Sequence, residues 1–433
     1  MERRVKEYVF LHHEVDEHYQ DVHPKKQLRI NAWNEMREGD HKSLNSTCRL
    51  WLHKVLYKMK KDEVAKPGKY PRMIGDLGVA ASLQGFRVTG LLKKAMASEA
   101  FVYRDGTFEF VATPEPSVLK EVFARLLNPP TKYYFVFFSD DACLSISHQG
   151  RVFVFNLDIK WCDASHGPSI FDALIHITPR HMKEDMQVLV DQCKLPIEVR
   201  DVTGNKQSVK LTPVNPRLYS GSTITTFINN LANILIFKSI VDAGATDALG
   251  VITSAAAVGY GVTLDACEFP EDIQFLKHSP VLDTHGRMQA MLNLGVMFRS
   301  IGMCKGDLPG RGPIRPRADE FVAQFLQGMY PRTNFGIKDG LLLNLTRAPW
   351  LEEIMQKKFC ADFPYIHKDD SGETYEADPR SIARRYRLTE GQFDEMTVYM
   401  SAARHQTWVA SSSIEAVLRK DYGLGVQFTT SFD

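Results

Sequence analysis

"KYYFVFFSDDACLSISHQGRVFVFNLDIKWCD", residues 132–163, reads as the middle of a buried sheet. It is dense in Phe, Tyr, Val and Ile, side chains that fit a pleated, half-buried surface. Carboxylates nevertheless stand at the ends of its apolar runs: Asp140, Asp141 and Asp158, with Asp163 close behind. Burying a charge is costly, so their placement needs a reason. Residues 132–138 read as one strand, and Ser139-Asp140-Asp141 as a tight turn. Residues 141–147 run back, His148-Gln149-Gly150-Arg151 turns the chain again, and residues 151–158 make a third strand. Gly150 supplies the positive φ that such a hairpin turn needs. With Gln149 and Gly150 as the two loop residues, His148 faces Arg151 and Asp141 faces Asp158. Like charges set opposite each other destabilise a sheet. A divalent cation would relieve them, because Mg²⁺ is held by a few carboxylates plus substrate phosphate oxygens. The plainer reading is a pair of aspartates decorating a hairpin. The matching position of Asp158 weighs against it.

Around this stretch the totals are ordinary. The chain has 433 residues, 44% hydrophobic and 24% charged, with a net charge of +1, so two or three subdomains are expected. Its seven cysteines are scattered and form no close pair, which points to a reducing compartment and away from a zinc site. No signal peptide opens the sequence. The longest apolar stretch, "LGVITSAAAVGYGV", is short of a membrane span, so a soluble intracellular protein is expected. Basic residues cluster twice: Lys54, Lys58, Lys60, Lys61, Lys66, Lys69 and Arg72, then Arg380, Arg384, Arg385 and Arg387. Such runs are usually solvated faces, and they are also what phosphate binding requires.

Several motifs fail. "HHEVDEH" has one residue too many between its histidines for the HExxH zinc helix. There is no GxxxxGK[ST] loop, and no GxGxxG follows a strand. "GDLPGRGPIRPR" reads as a connector whose arginines could touch a polyanion.

An aspartate-tipped hairpin beside a strand ending in a further aspartate resembles the palm of template-dependent polymerases. Three more stretches sharpen the likeness. "DIKWCD" is similar to motif A of viral RNA-dependent RNA polymerases, and "FFSDDACLS" to their motif C, with Ser in place of the commoner Gly. "SGSTITTFINN" matches the motif B pattern SGxxxTxxxN through Ser220, Gly221, Thr225 and Asn229. Upstream, "KKDEVAKPGKYPRMIGDLG" resembles the basic motif F, with Lys61, Glu63, Lys69 and Arg72 in familiar places. Weaker likenesses follow in "AAAVGYG" to motif D and "DIQFLKHSP" to motif E. The motifs run C-A-B instead of A-B-C, an order that resembles the permuted polymerases of permutotetraviruses and birnaviruses. Linking neighbouring strands through Gln149-Gly150 keeps the strand contacts and changes only the connections.

The resemblance implies an α+β right-hand polymerase of fingers, palm and thumb, with an antiparallel palm sheet of permuted connectivity. Its segments would be 1–130 (N-terminal and fingers, motif F at 60–77), 131–166 (motifs C and A), 167–219 (a fingers insertion), 220–279 (motifs B, D and E) and 280–433 (thumb). Residues 1–60 read as helical and charged, and a long helix runs from 221 to a stop at Gly244. Helicase, protease and capping domains are not expected in this length.

The implied activity is RNA-directed RNA polymerisation replicating and transcribing a viral RNA genome, through two divalent ions (Mg²⁺ or Mn²⁺) about 4 Å apart. Asp140 and Asp158 would be ligands, with Asp141 adjacent. Lys61, Lys69 and Arg72 would hold the triphosphate. Asp163, Ser220, Gly221, Thr225 and Asn229 would position the ribose, although Thr225 also reads as an ordinary helix residue. Residues 251–274 contain no lysine to serve as the usual motif D general acid, and Lys277 and His278 are only nearby. Implied partners are template and product RNA, nucleoside triphosphates and other viral replication proteins, in a replication complex of the host cytoplasm or in the virion. A reverse transcriptase or other palm nucleotidyltransferase, and a non-catalytic RNA-binding scaffold, stay open as alternatives.

Overall fold

The structure, a computed structural model, describes residues 53–59, 72–97, 100–111, 115–200, 207–300, 375–402 and 411–423. The chain begins with β1 (Val55–Met59), β2 (Met73–Asp76) and α1 (Gly78–Ala97), followed by β3 (Phe101–Tyr103), β4 (Gly106–Phe110) and α2 (Pro116–Leu127). The meander is β5 (Tyr133–Phe138), β6 (Asp141–His148) and β7 (Arg151–Ile159). After it come the short α3 (Cys162–Ser165), α4 (Pro168–Ile177), α5 (Lys183–Gln192), β8 (Ile197–Arg200) and β9 (Ser208–Leu211). Then follow α6 (Thr225–Ala243), α7 (Ala248–Ala257), β10 (Val262–Ala266), β11 (His278–Leu282), β12 (Met288–Leu292) and α8 (Leu294–Ser300). The final elements are α9 (Pro379–Tyr386), α10 (Glu390–Ala402) and α11 (Ser412–Tyr422).

Two units emerge. The first comprises Met1–Ala65, Tyr70–Ala112 and Asn128–Ala266, and the second Lys66–Lys69, Thr113–Leu127 and Cys267–Asp433. The first holds a six-stranded sheet in the order β10-β7-β6-β5-β4-β3 and a four-stranded sheet in the order β2-β1-β8-β9. The meander has the register read from its turns: His148 pairs with Arg151, and Asp141 with Asp158. Both loop residues of the second turn lie in the left-handed region, Gln149 at φ 50° and Gly150 at φ 73°. That is the geometry of a tight two-residue hairpin.

The sheet is not antiparallel throughout. β4 pairs parallel with β5, Phe108 opposite Phe135 and Phe110 opposite Phe137, so the six strands form a mixed sheet. A parallel neighbour needs a crossover, and the chain makes one through residues 111–132, which include α2.

Strand alternation decides which face carries what. Phe135, Phe137, Leu144, Ile146, Phe155 and Leu157 join the core cluster with Ile228 and Phe237 of α6. Phe135 stacks on Phe237 at 5.5 Å between ring centroids. Each such buried Phe contributes roughly 1.5–3 kcal/mol. The alternate positions, Asp141, Cys143, Asn156 and Asp158, lie on the opposite face.

The long helix ends where expected, at Gly244 with φ 66°. It starts four residues later than expected, at Thr225, because Gly221 takes φ 104° and Ser222 N–H donates to Tyr219 O in a turn. The apolar stretch after it is α7, capped by the Asp247 carboxylate accepting from Gly250 N–H, followed by a turn into β10. No helix among the described residues is long and apolar enough to cross a membrane.

In the second unit β11 and β12 form a hairpin, and its apolar cluster gathers Val281, Met291, Ile382, Tyr386, Met396 and Val417. The second arginine cluster is a structural ion network. Arg385 and Asp421 pair at 2.7 Å with both side chains fully buried, Arg384 meets Glu271 and Arg387 meets Asp272. Lys54 and Lys58 of the first basic cluster pair with Glu198 and Asp76. "HHEVDEH", "GDLPGRGPIRPR", Lys61, Glu63 and Lys69 lie outside the described residues.

Candidate active site

The site forms where the β5–β6 turn, the end of β7 and the start of α6 meet. Phe138 pairs with Asp141, so Ser139 and Asp140 are the turn itself, with Ser139 at φ 56°. A non-glycine residue in that conformation must be held from outside. Three asparagines of α6 hold it. Asn230 Oδ1 accepts from Ser139 N–H at 2.8 Å, Asn233 Nδ2 donates to Ser139 O at 2.7 Å, and Asn229 Nδ2 donates to Ser139 Oγ at 3.0 Å. Every polar group of Ser139 is engaged by one helix. All three asparagines are buried, in a helix whose other buried residues are Phe, Ile, Leu, Val and Ala.

β7 delivers the remaining carboxylates. Asp158 stands between Asp141 on β6 and Thr263 on β10. Beyond the strand, exposed Trp161 adopts φ 50° and turns the chain into α3, bringing Asp163 toward α6. Asn229 Nδ2 donates to Asp163 Oδ1 at 3.1 Å, and the Ser220 hydroxyl also bonds this carboxylate. Burial raises the Asp163 pKa and the Asp140 charge raises it further, while Asn229, His166 and Ser220 pull it back. The Cys162 thiol is pushed far up by burial and then by the charges of Asp163, Asp140 and Asp158. Three carboxylates from two expected motifs therefore act on one buried point.

Ser220 is tied in place through its backbone: its carbonyl accepts from Gly75 N–H of β2 at 2.8 Å. The tail of the expected motif F segment is thus bonded to the expected motif B loop. The loop also needs space. A Cβ at Gly85 of α1 would lie 1.9 Å from Thr223 Oγ1. The Thr225 hydroxyl donates to Tyr219 O at 3.2 Å. Gly221 provides the left-handed turn, and Arg72 lies exposed just before β2.

The structure thus gathers Asp140, Asp163, Ser220 and Asn229, and sets Asp141 against Asp158. Sequence reasoning missed Asn230, Asn233, His166 and Tyr260. The asparagines carried a signal, polar residues at i, i+1 and i+4 inside an apolar helix. The His166 side chain accompanies no recognisable motif.

The oxygen-only donor set and its mutual repulsion fit a hard divalent cation, Mg²⁺ or Mn²⁺. Among the described residues, no three His, Cys, Asp or Glu side chains are grouped closely enough to hold an ion unaided. A cation here would draw further ligands from substrate phosphate and water, as Mg²⁺ commonly does.

No protein-family profile matches the chain, and no curated protein matches it in sequence. A solved structure does match in fold: the X-ray structure of the birnavirus VP1-VP3 complex, at a TM-score of 0.51 and 11% identity. The match covers 89% of this chain and 61% of that one, so this chain spans about three fifths of its length. The mixed α+β fold resembles that of the matched chain in this complex.

Proposed function

We propose that the protein is an RNA-dependent RNA polymerase with permuted palm motifs, transferring nucleoside monophosphate from a triphosphate to an RNA 3′-hydroxyl. One observation carries the reading. Residues from three separate stretches form one site, with Asp141 opposite Asp158 and Asp163 hydrogen-bonded to Asn229 beside Asp140. The fold likeness to birnavirus VP1 supports it, because the C-A-B order independently resembles birnavirus polymerases.

In this reading Asp140 and Asp158, with Asp141 beside them, hold the divalent ions. Bound metal would activate the hydroxyl and neutralise the departing pyrophosphate. Arg72 and the lysines before it meet the triphosphate. Asn229 holds Asp163 Oδ1 and the Ser220 hydroxyl bonds the same carboxylate, so the group is fixed where a ribose hydroxyl would meet it. The Asn cradle of Ser139 keeps the aspartate turn rigid, so the acids need not reorganise during reaction. RNA, nucleoside triphosphates and other replication proteins are the partners we assign, in a replication complex of the host cytoplasm.

Primer extension on a homopolymer template with Mg²⁺ or Mn²⁺ tests the proposal. Asp140→Ala and Asp158→Ala should each abolish extension and leave RNA binding nearly intact. Substantial activity in either variant overturns the metal assignment.

A further inference from the structure

His166 lies buried just beyond α3, and its ring is bonded on both sides. Its Nε2 is 2.8 Å from Asn229 Oδ1 and, more distantly, 4.0 Å from Cys162 Sγ, and its Nδ1 is 3.2 Å from the Tyr260 hydroxyl. The proton positions follow from the partners. The other end of the Asn229 amide contacts Asp163 Oδ1, an acceptor, and Ser139 Oγ. That end must therefore be the NH₂, and both of its hydrogens are used. Oδ1 then faces His166 Nε2, which must carry a hydrogen to make the bond. Burial disfavours the charged imidazole, leaving a single ring proton. With that proton on Nε2, Nδ1 is the acceptor, and Tyr260 O–H donates to it. The result is a one-way chain from Tyr260 through His166 and Asn229 to Asp163 and Ser139. Turning the amide over would set its oxygen against the Asp163 carboxylate.

We propose that His166 is a positioning residue: as the Nε2–H tautomer, with Tyr260 O–H donating to its Nδ1, it locks the Asn229 amide toward Asp163 and thereby controls discrimination of the incoming sugar. The role in sugar choice rests on the polymerase reading; the tautomer and amide orientation do not. Tyr260 falls in the stretch after α7 and His166 after α3, so only the fold makes them partners.

Two measurements separate the possibilities. Selective ¹⁵N-histidine labelling of the full chain, with His166→Gln used for assignment, should show His166 protonated at Nε2 and bare at Nδ1 at neutral pH. The opposite tautomer overturns the proposal, whether or not the protein polymerises. For the second measurement wild type must extend a primer; if it does not, the polymerase reading fails and the tautomer result stands alone. Given extension, His166→Leu should lower the ratio of ribo- to deoxyribonucleotide kcat/KM by about tenfold, the loss of roughly one hydrogen bond's worth of orientation. The change should be mainly in ribonucleotide KM. His166→Gln, which can still donate to Asn229 Oδ1, should retain most of the ratio. An unchanged ratio in a folded His166→Leu overturns the role. Should that variant not fold, Tyr260→Phe decides: a reduced ratio upholds the chain and an unchanged one overturns it.

Discussion

Asp158 faces a like charge across the sheet and has Thr263 on its other side. Without a cation the Asp141–Asp158 pair repels, so removing one charge should have two opposite effects. Asp158→Asn is expected to raise the metal-free melting temperature by a degree or so and to blunt the stabilisation given by Mn²⁺. A cation bound only to the folded state at a hundredfold excess over Kd adds about 2.7 kcal/mol, which in a protein of this size is only a few degrees. Mn²⁺ titration followed by thermal melting is therefore the measurement. Equal shifts in wild type and variant would show that the acids share no metal. The Ser139 cradle gives a second prediction. Asn233→Leu removes the donor to Ser139 O and should cost about 1–3 kcal/mol in chemical denaturation. It should also slow extension, because the neighbouring Asp140 loses its fixed turn.

Elements meet here through two kinds of glycine, and substitution tells them apart. Gly150 is needed for its conformation: φ is 73°, and nothing lies within 4 Å of an added Cβ. Gly150→Ala should cost about 1–2 kcal/mol from left-handed backbone strain alone. Gly85 is helical and needed for space, since its Cβ would strike the Thr223 side chain at 1.9 Å. Gly85→Ala should cost about 1–3 kcal/mol by overpacking and should also lower extension, because it displaces the loop that presents Ser220. Adding Thr223→Gly to Gly85→Ala should recover part of the stability, while the same addition to Gly150→Ala should recover none. Urea denaturation of the four variants checks both statements.

For the molecule as a whole, acid acts with opposite sign at two places. Burial of Asp272 opposes its ionisation, but Arg387, the Phe269 N–H and Lys420 outweigh that and hold its pKa at about 2. A carboxylate depressed in the folded state adds stability above its unfolded pKa, near 3.9, and loses it as pH falls toward about 2. Asp272→Asn should therefore cost roughly 1–2 kcal/mol at pH 7 after solvent screening. The gap from wild type should close as pH drops through that window. A constant gap in thermal melts across it would show that the cations do not hold this carboxylate. Asp163 is raised instead, so its charged form opposes folding and its contribution worsens as pH rises above the unfolded value.

The meander, its register and the facing of Asp141 and Asp158 were legible in sequence, because period-two apolar runs and a two-residue turn fix pairing locally. The stop of the long helix at Gly244 was legible for the same local reason. Its start was not, since the φ of Gly221 serves a loop bonded to distant Gly75. Nor was the parallel pairing of β4 with β5, which a crossover imposes and no local pattern announces. The second basic cluster divided likewise: composition could count Arg384, Arg385 and Arg387, but only tertiary contacts gave them Glu271, Asp421 and Asp272 as partners. The acids of the site were written in the sequence as motifs. Their supports, Asn230, Asn233, His166 and Tyr260, were decided by the fold, because a hydrogen-bond partner is chosen by proximity in space, which residue spacing along a chain does not encode.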